Sequence, residues 1–182
     1  MEHFKLRQVQ AEFFHGVCAK TFGLRTVHTY EHDHPGSGYV IPPKQVGLWL
    51  SHWTLWNIFY HSRDGGPWMV LEDDAEFDEH WWIKHLRALA NMPQDTDILY
   101  IGSCNTSDKE KTDLGNGLYR IFYPHCTHAY IVFPSALPVL LESQRLCYAP
   151  IDLAMAFRSL PRLRHVTLLP RIVGQRDTSI GA

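Results

Sequence analysis

The sequence lacks paired cysteines and long apolar runs, and each absence excludes a class of protein. Its four cysteines form no Cys-x-x-Cys pair, which argues against a zinc ribbon. They are Cys18, Cys104, Cys126 and Cys147. No apolar run approaches the roughly 18 residues of a membrane-spanning helix. Because the first residues also lack a signal-peptide pattern, we expect four free thiols in a reducing compartment and a cytoplasmic location.

An excess of charge of either sign is also missing. The chain has 17 Lys and Arg against 19 Asp and Glu, a net charge of -2. This balance argues against binding to nucleic acid or to anionic membranes, which requires a basic face. With 182 residues, 45% hydrophobic, the chain is long enough and apolar enough to form one domain around a real core.

Short apolar strands alternate with segments of helical spacing, and no internal repeat is present. This alternation predicts a single α/β domain over residues 1–182, with helices on the faces of a sheet. The predicted strands are 9–17, 68–71, 98–101, 118–122, 128–133 and 166–169. The predicted helices are 46–61, 80–91, 135–143 and 150–160. Residues 28–43 and 103–117 are predicted as loops, and residues 171–182 as a flexible tail.

Three carboxylates, Glu72, Asp73 and Asp74, directly follow the apolar strand at 68–71. Like charges at the end of a buried strand are unfavourable unless something positive binds them. A divalent cation with oxygen ligands is the simplest partner, and it can hold a phosphate or a diphosphate. The alternative is an acidic loop in which Asp74 or Asp78 caps the next helix. Ligands of α/β sheets bind at the carboxyl ends of strands, where both this cluster and Gly102 lie.

Six short motifs follow one another in a set order between residues 45 and 180. They are VGLWLSH (46–52), VLEDDAEF (70–77), DILYIG (97–102), THAYIV (127–132), PIDL (150–153), and PRIVGQ (170–175) followed by Ser179-Ile180. In this order the chain resembles glycosyltransferase family 25, the lipooligosaccharide and procollagen galactosyltransferase family. The resemblance implies a GT-A-type, Rossmann-like fold with a mixed sheet flanked by helices.

The resemblance also implies an activity and a cofactor. A hexose, galactose or glucose, would pass from a UDP-sugar to a glycan or other hydroxyl acceptor with inversion at the anomeric carbon. Manganese or magnesium would lie on the acidic motif. Asp74 would hold the metal, with Glu72 facing the ribose or the waters of the metal and His128 as a further ligand. The donor would also contact the remaining matched residues, which are Asp73, Ser51, His52, Gln175 and Ser179.

Several of these residues have a structural alternative. Asp152 is the candidate general base for the acceptor hydroxyl, but it could also be a plain helix N-cap. His52 could be a core histidine bonded to the backbone, and His128 could contact the diphosphate or make a structural hydrogen bond. Gln175 could belong to a lid over the donor or to a frayed terminus.

The family pattern places an apolar strand before the segment that aligns at residues 1–17, so we expect a chain without that strand. An uncovered sheet edge would favour a homodimer. The competing function is a non-catalytic nucleotide- or carbohydrate-binding module, in which exposed Trp81 and Trp82 would stack on sugar rings. A metal hydrolase is a weaker alternative, because the sequence contains no HExxH pair.

Overall fold

The computed structural model describes residues 11–28, 40–104 and 111–176. Its strands are β1 (Val27–His28), β2 (Val40–Ile41), β3 (Trp68–Leu71), β4 (Ala75–Phe77), β5 (Ile98–Tyr100), β6 (Lys111–Gly115), β7 (Leu118–Ile121), β8 (Ala129–Val132), β9 (His165–Leu168) and β10 (Val173–Gln175). Its helices are α1 (Pro43–His61), α2 (Trp81–Asn91), α3 (Leu137–Ser143) and α4 (Ile151–Ala154). A 3-10 turn (Pro134–Ala136) precedes α3, and α4 continues through a π-helical turn (Met155–Ser159) and a 3-10 turn (Leu160–Arg162).

The central sheet has six strands in the order β3-β8-β5-β9-β7-β6. Strands β3 and β5 each pair antiparallel with β8, whereas β5 and β9 are parallel. Strands β3, β5 and β9 therefore run in the same direction, and their carboxyl ends lie at one edge of the sheet. Two smaller ladders join β1 to β2 and β4 to β10, both antiparallel.

Alternate residues of the central strands face two separate cores, as the two-residue period of a strand requires. Tyr100 and Tyr130 belong to a core formed with α1, α3 and α4. Leu99 and Ile131 point the other way, into a second core formed with α2. The sheet is thus a middle layer with helices on both faces, which confirms the predicted α/β class with a mixed sheet. Within the described ranges, no helix is both long and apolar enough to cross a membrane.

The apolar segments were predicted well, and the polar ones were not. Helices α1 and α2 and strands β3, β5, β7, β8 and β9 lie within three residues of their predicted bounds. The predicted helix 150–160 is continuous, but its hydrogen bonds change from α-helical to π-helical and then to 3-10 along its length. Pro161 in the last turn prevents regular continuation. In the predicted strand 9–17, residues 11–17 form no strand, and residues 9 and 10 lie outside the described residues.

Three segments predicted to be loop or tail contain strands. Strand β6 lies in the predicted loop 103–117 and forms a hairpin with β7. Asn116 and Gly117 make its turn with φ of 56° and 79°, the left-handed values for which Asn-Gly is the usual sequence. Strand β2 and the first residue of α1 lie in the predicted loop 28–43, whose residues 29–39 are not described. Strand β10 lies in the predicted tail and pairs with β4.

The prediction of four free thiols is wrong for two of them. Cys104 and Cys126 form a disulfide, while Cys18 and Cys147 are free. The β6–β7 hairpin lies between Cys104 and Cys126 in the sequence, and it brings these two cysteines close together. The cytoplasmic location was inferred from free thiols, and it stays a prediction.

Candidate functional site

The carboxyl ends of β3 and β5 flank the start of β8 and define one edge of the sheet. The backbone N–H of Glu72 donates to the carbonyl oxygen of His128 at 2.9 Å. The N–H of Gly102 donates to the carbonyl oxygen of Ala129 at 3.1 Å. The two strand ends that the sequence identified as ligand positions are therefore neighbours, joined through the loop 126–128.

Glu72 is held by a buried chain of polar side chains that begins in α1. Trp56 Nε1 donates to the hydroxyl oxygen of Tyr130 at 2.9 Å, and the same oxygen lies 2.9 Å from His52 Nδ1. On the other side of its ring, His52 Nε2 lies 3.4 Å from Glu72 Oε1. Thr127 Oγ1 donates to the same carboxylate oxygen at 2.8 Å. His52 is therefore buried, as its structural alternative required, but its partners are side chains rather than backbone.

The direction of these bonds determines the tautomer of His52. A carboxylate oxygen can only accept, so Nε2 of His52 carries a proton that faces Glu72 Oε1. The hydroxyl proton of Tyr130 is then available to Nδ1. Each proton in the chain thus points toward the carboxylate.

The carboxyl group of Glu72 is kept ionised by these contacts. Its partial burial alone would raise the pKa. Interaction with His52 and the hydrogen bond from Thr127 outweigh that effect, and the pKa of Glu72 lies below its ordinary value. Among the described residues, no lysine or arginine is bonded to this negative charge, which is therefore suited to bind a cation.

Asp74 lies in the turn between β3 and β4, where one of its oxygens has no partner. Its Oδ1 atom is buried without a hydrogen bond, whereas Oδ2 accepts from Gln175 Nε2 at 3.3 Å. The carbonyl oxygen of Asp74 accepts from the N–H of Arg176 at 2.7 Å. Asp73 beside it is exposed. An orphaned carboxylate oxygen is the donor type that manganese and magnesium prefer, so the residues present fit such an ion.

Strand β10 is paired with β4, which directly follows the acidic turn, and is not a frayed terminus. It pairs with β4 in register from Val173 opposite Phe77 to Gln175 opposite Ala75. The N–H groups of Ile172 and Val173 both donate to the carbonyl oxygen of Ile101 at the end of β5. The tail prediction is therefore wrong for residues 171–176. Gln175 contacts Asp74 from a fixed strand, and Ser179 lies outside the described residues.

Asp152 approaches the same loop from the other side. It lies in the first turn of α4, whose N-cap is Pro150, so the N-cap alternative is wrong. Its Oδ2 accepts from the N–H of Cys126 at 3.4 Å, and its Oδ1 accepts from Leu153 N–H at 2.9 Å. Since Cys126 and Thr127 are adjacent, a single loop connects the candidate base to Glu72.

The helix-cap alternative for the acidic cluster also fails for Asp74. The N-cap of α2 is His80, whose N–H donates to Asp78 Oδ1 at 2.9 Å. Lys84 Nζ donates to the same oxygen at 2.8 Å. Asp78 thus binds groups at the start of α2, whereas Asp74 binds Gln175 of β10.

Three other predicted residues have structural partners. Ser51 accepts from Val17 N–H at 2.7 Å and donates to Gly47 O, which anchors the N-terminal segment to α1. A Cβ on Gly47 would lie 2.4 Å from the carbonyl oxygen of Val17, so this close approach requires glycine. His128 is fully buried, with Nε2 3.2 Å from the carbonyl oxygen of Val173. Trp81 is buried against Phe77 and is not available to a sugar.

The predicted metal set is only partly brought together. Among the described residues, the group of three or more His, Cys, Asp or Glu ligand atoms within 4.8 Å of one another consists of Cys104, Cys126 and His128. His128 is therefore grouped with two sulfurs and not with Glu72 and Asp74, although its ring still interacts electrostatically with the Glu72 carboxylate. Trp56, Tyr130 and Thr127 are site residues that sequence reasoning did not assign, although two of them stand in the quoted motif THAYIV.

A separate surface depression of about 300 Å³ lies between β7 and the end of α4. Its walls include Arg120, Phe122, Tyr123 and Phe157, but none of the carboxylates described above. The convergence of polar groups therefore lies at the sheet edge and not in this depression.

No family model matches the chain. Two curated proteins do, and both carry the name "Inactive glycosyltransferase 25 family member 3". The mouse protein is 27% identical over 121 residues, which cover 62% of this chain and 20% of its own length. The human protein is 26% identical over 117 residues, again 62% of this chain and 20% of its own length.

The matched stretch spans about a fifth of the length of these curated relatives. The comparison therefore concerns one part of each relative. The α/β architecture with a mixed sheet agrees with the fold that the motif order implied. The motif order and these relatives together support membership of this chain in glycosyltransferase family 25.

Proposed function

We propose that this chain is a metal-dependent inverting glycosyltransferase that moves a hexose from a UDP-sugar to a glycan or other hydroxyl acceptor. The observation that carries the proposal is the buried, unpartnered Oδ1 of Asp74 at the end of β3. An ionised Glu72 lies two residues before it, held by Thr127 and His52. The two relatives are named for glycosyltransferase family 25, which supports the family, but the word "Inactive" in both names gives no support to turnover.

Asp74 and Glu72 are the residues that would hold manganese or magnesium. When bound, such a cation neutralises the charge that develops on a leaving diphosphate. Gln175 fixes Oδ2 of Asp74, which leaves Oδ1 as the free donor. Thr127 and His52 fix Oε1 of Glu72, so its second oxygen remains for a ribose hydroxyl or a metal-bound water.

Asp152 is the proposed general base. As the acceptor oxygen attacks the anomeric carbon and the bond to the diphosphate breaks, the hydroxyl proton passes to the Asp152 carboxylate. Backbone N–H groups from Leu153 and Cys126 orient this carboxylate and leave part of its acceptor capacity free.

The second candidate function is a nucleotide- or carbohydrate-binding module without turnover. The word "Inactive" in the names of both relatives favours it. The two functions share donor binding and differ only in the chemical step. Asp152 therefore distinguishes them, whereas Asp74 does not.

Calorimetric titration of UDP into the purified chain, with and without Mn²⁺, tests the donor site. We expect binding that requires Mn²⁺ and that Asp74→Asn weakens at least about tenfold, since it replaces a charged ligand by a neutral amide. Glu79→Gln is the matched control, because Glu79 is an exposed carboxylate in the same acidic segment. Metal-independent binding, or equal loss in both variants, would contradict the assignment of Asp74.

Turnover is tested by release of UDP from UDP-galactose and UDP-glucose with hydroxyl acceptors. The transferase predicts product formation that Asp152→Asn removes, while Mn²⁺-dependent UDP binding is retained. Binding without any turnover in the unaltered chain would favour the module. Absence of UDP binding to the unaltered chain would reject the transferase and the nucleotide-binding form of the module.

A further inference from the structure

A cluster of sulfur and nitrogen ligand atoms lies beside the acidic turn. Cys104, Cys126 and His128 place one ligand atom each within 4.8 Å of the others. Two sulfurs and one imidazole nitrogen form a donor set typical of zinc, whereas manganese and magnesium are usually bound through oxygens. Because none of its members is Glu72, Asp74 or Asp152, this cluster is distinct from the proposed donor site.

Among the described residues, one ring nitrogen of His128 has no hydrogen-bond partner, as a metal ligand requires. Its Nε2 lies 3.2 Å from the carbonyl oxygen of Val173, and a carbonyl can only accept, so Nε2 carries the proton. The lone pair is then on Nδ1, which is buried without a hydrogen-bond partner. Metal-ligating histidines usually donate their second ring N–H to a carbonyl or carboxylate in this way. An unpaired buried acceptor is otherwise unfavourable.

The backbone around the cluster is specialised to hold these side chains. Cys126 has φ of 71°, a left-handed conformation that non-glycine residues adopt only rarely. Such strained positions concentrate at functional sites. A Cβ on Gly102 would lie 2.4 Å from His128 Nε2, so the absence of a side chain there allows the ring to occupy its place.

We propose that Cys104, Cys126 and His128 form a redox-gated site for zinc or a similar soft divalent cation. In the oxidised chain the two sulfurs are bonded to each other and cannot act as thiolates. A thiol reductant supplies two electrons and two protons, which convert the S–S bond into two thiols. Binding of the cation then releases the two thiol protons and uses both sulfurs and the imidazole.

Among the described residues, three supply ligand atoms to the cluster, which leaves the fourth position of a tetrahedral site to another group. Gln175 Oε1 lies 3.5 Å from Cys104 Sγ, at the border with the acidic turn. The inference does not rest on sugar transfer, because no carboxylate of the donor site takes part in it. Failure of the donor-binding experiment would leave it standing, and its own failure would leave the donor site unaffected.

Anaerobic titration of the whole chain with Co²⁺ tests the proposal, because cobalt reports its ligands by absorption. After reduction by a thiol reductant and its removal, we expect one equivalent of Co²⁺ to bind. Thiolate-to-cobalt charge-transfer bands and intense visible bands of a four-coordinate ion should accompany binding. The oxidised chain should show neither. A reduced chain that binds no Co²⁺, or an oxidised chain that binds it equally, would overturn the proposal.

Matched cysteine variants assign the ligands. Cys104→Ser should weaken Co²⁺ binding at least about 100-fold, since loss of a ligand exceeds the about 10- to 100-fold loss that follows removal of an outer partner. Cys104 is exposed, so this variant is expected to fold, which near-UV circular dichroism would check. The double variant Cys18→Ser, Cys147→Ala removes the other two thiols and should bind as before. Equal affinity in Cys104→Ser would overturn the assignment.

Discussion

A buried carboxylate and a partly buried one, at opposite ends of the same sheet, have different hydrogen-bond partners. Asp97 precedes β5 and accepts from Ser135 Oγ at 2.5 Å and from the N–H of Arg164 at 2.8 Å. The guanidinium of Arg164 lies 3.4 Å from its Oδ2. Glu72 follows β3 and is bonded to Thr127, with a histidine beside it and no lysine or arginine.

The difference separates a structural carboxylate from an available one. For both groups, burial alone would raise the pKa, and hydrogen bonds bring it below the ordinary value. At Asp97 the arginine also neutralises the charge permanently, and the aspartate ties β5 to β9 and to the turn before α3. At Glu72 a threonine and a histidine hold the carboxylate at the edge where the acidic turn lies, and no arginine or lysine of the described residues is bonded to it. The same residue class thus stabilises the fold at one end and is free to bind a cation at the other.

Matched amide variants should give the largest contrast between the two ends. Asp97→Asn places an N–H₂ group among the donors from Ser135 and Arg164, and we expect a loss of about 2–3 kcal/mol in the free energy of unfolding. In Glu72→Gln the amide oxygen still accepts from Thr127 and His52, so the loss should be below about 1 kcal/mol. Urea-induced unfolding at neutral pH measures both.

Ligand binding should show the opposite order. Glu72→Gln is expected to weaken Mn²⁺-dependent UDP binding on the order of tenfold, whereas Asp97→Asn should leave it unchanged at a temperature where the variant is folded. The exposed Asp95, which also contacts Arg164, provides a control, because Asp95→Asn should affect neither measurement. If both amides destabilise the chain equally, the two carboxylates are equivalent and the comparison fails.

Removing one oxygen from the chain of polar side chains should have an intermediate effect. Tyr130→Phe leaves the indole N–H of Trp56 and Nδ1 of His52 buried without a partner, at a cost of about 1–3 kcal/mol in the free energy of unfolding. The carboxylate of Glu72 should still hold the proton of His52 on Nε2, because it can only accept. Urea unfolding and long-range ¹H–¹⁵N spectra of the histidine ring measure the two consequences.

The matched control is Tyr60→Phe, the same change on the exposed face of α1. It should alter neither the free energy of unfolding nor the spectrum of His52. A His52 proton that moves to Nδ1 in Tyr130→Phe would show that Tyr130, and not Glu72, determines where the proton lies.

The parts of the site that sequence reasoning found are those specified by local patterns. The apolar run of β3 and the carboxylates after it lie side by side in the chain, so the strand and its charged end were both predictable. The antiparallel strand β8 between β3 and β5 then brings the two strand ends together. Asn116-Gly117 was also a local signal for a hairpin, but its polar surroundings led to the prediction of a loop.

Contacts between distant segments could not be predicted in this way. His52 and Tyr130 are 78 positions apart in the sequence, and their contact depends on how α1 packs on the sheet. Neither residue has a neighbour in sequence that points to the other. Four cysteines allow three pairings if two disulfides form, so the single Cys104–Cys126 bond could not be read from spacing either.

The smallest expected effect concerns how the free energy of unfolding depends on acid pH. The contributions of Glu72 and Asp97 should begin to decline at different pH values. The pKa of Glu72 in the folded chain is below its ordinary 4.5, so its contribution is fully present above that pH and is lost as the pH falls through the folded pKa. Asp97 follows the same rule from an ordinary value of 3.8. The stability difference between the unaltered chain and Glu72→Gln should therefore begin to shrink at a higher pH than the difference for Asp97→Asn. Urea unfolding from pH 7 to pH 3 measures both differences. A Glu72 difference that grows on acidification would mean that burial outweighs His52 and Thr127, and that this carboxylate is neutral where a cation ligand has to be charged.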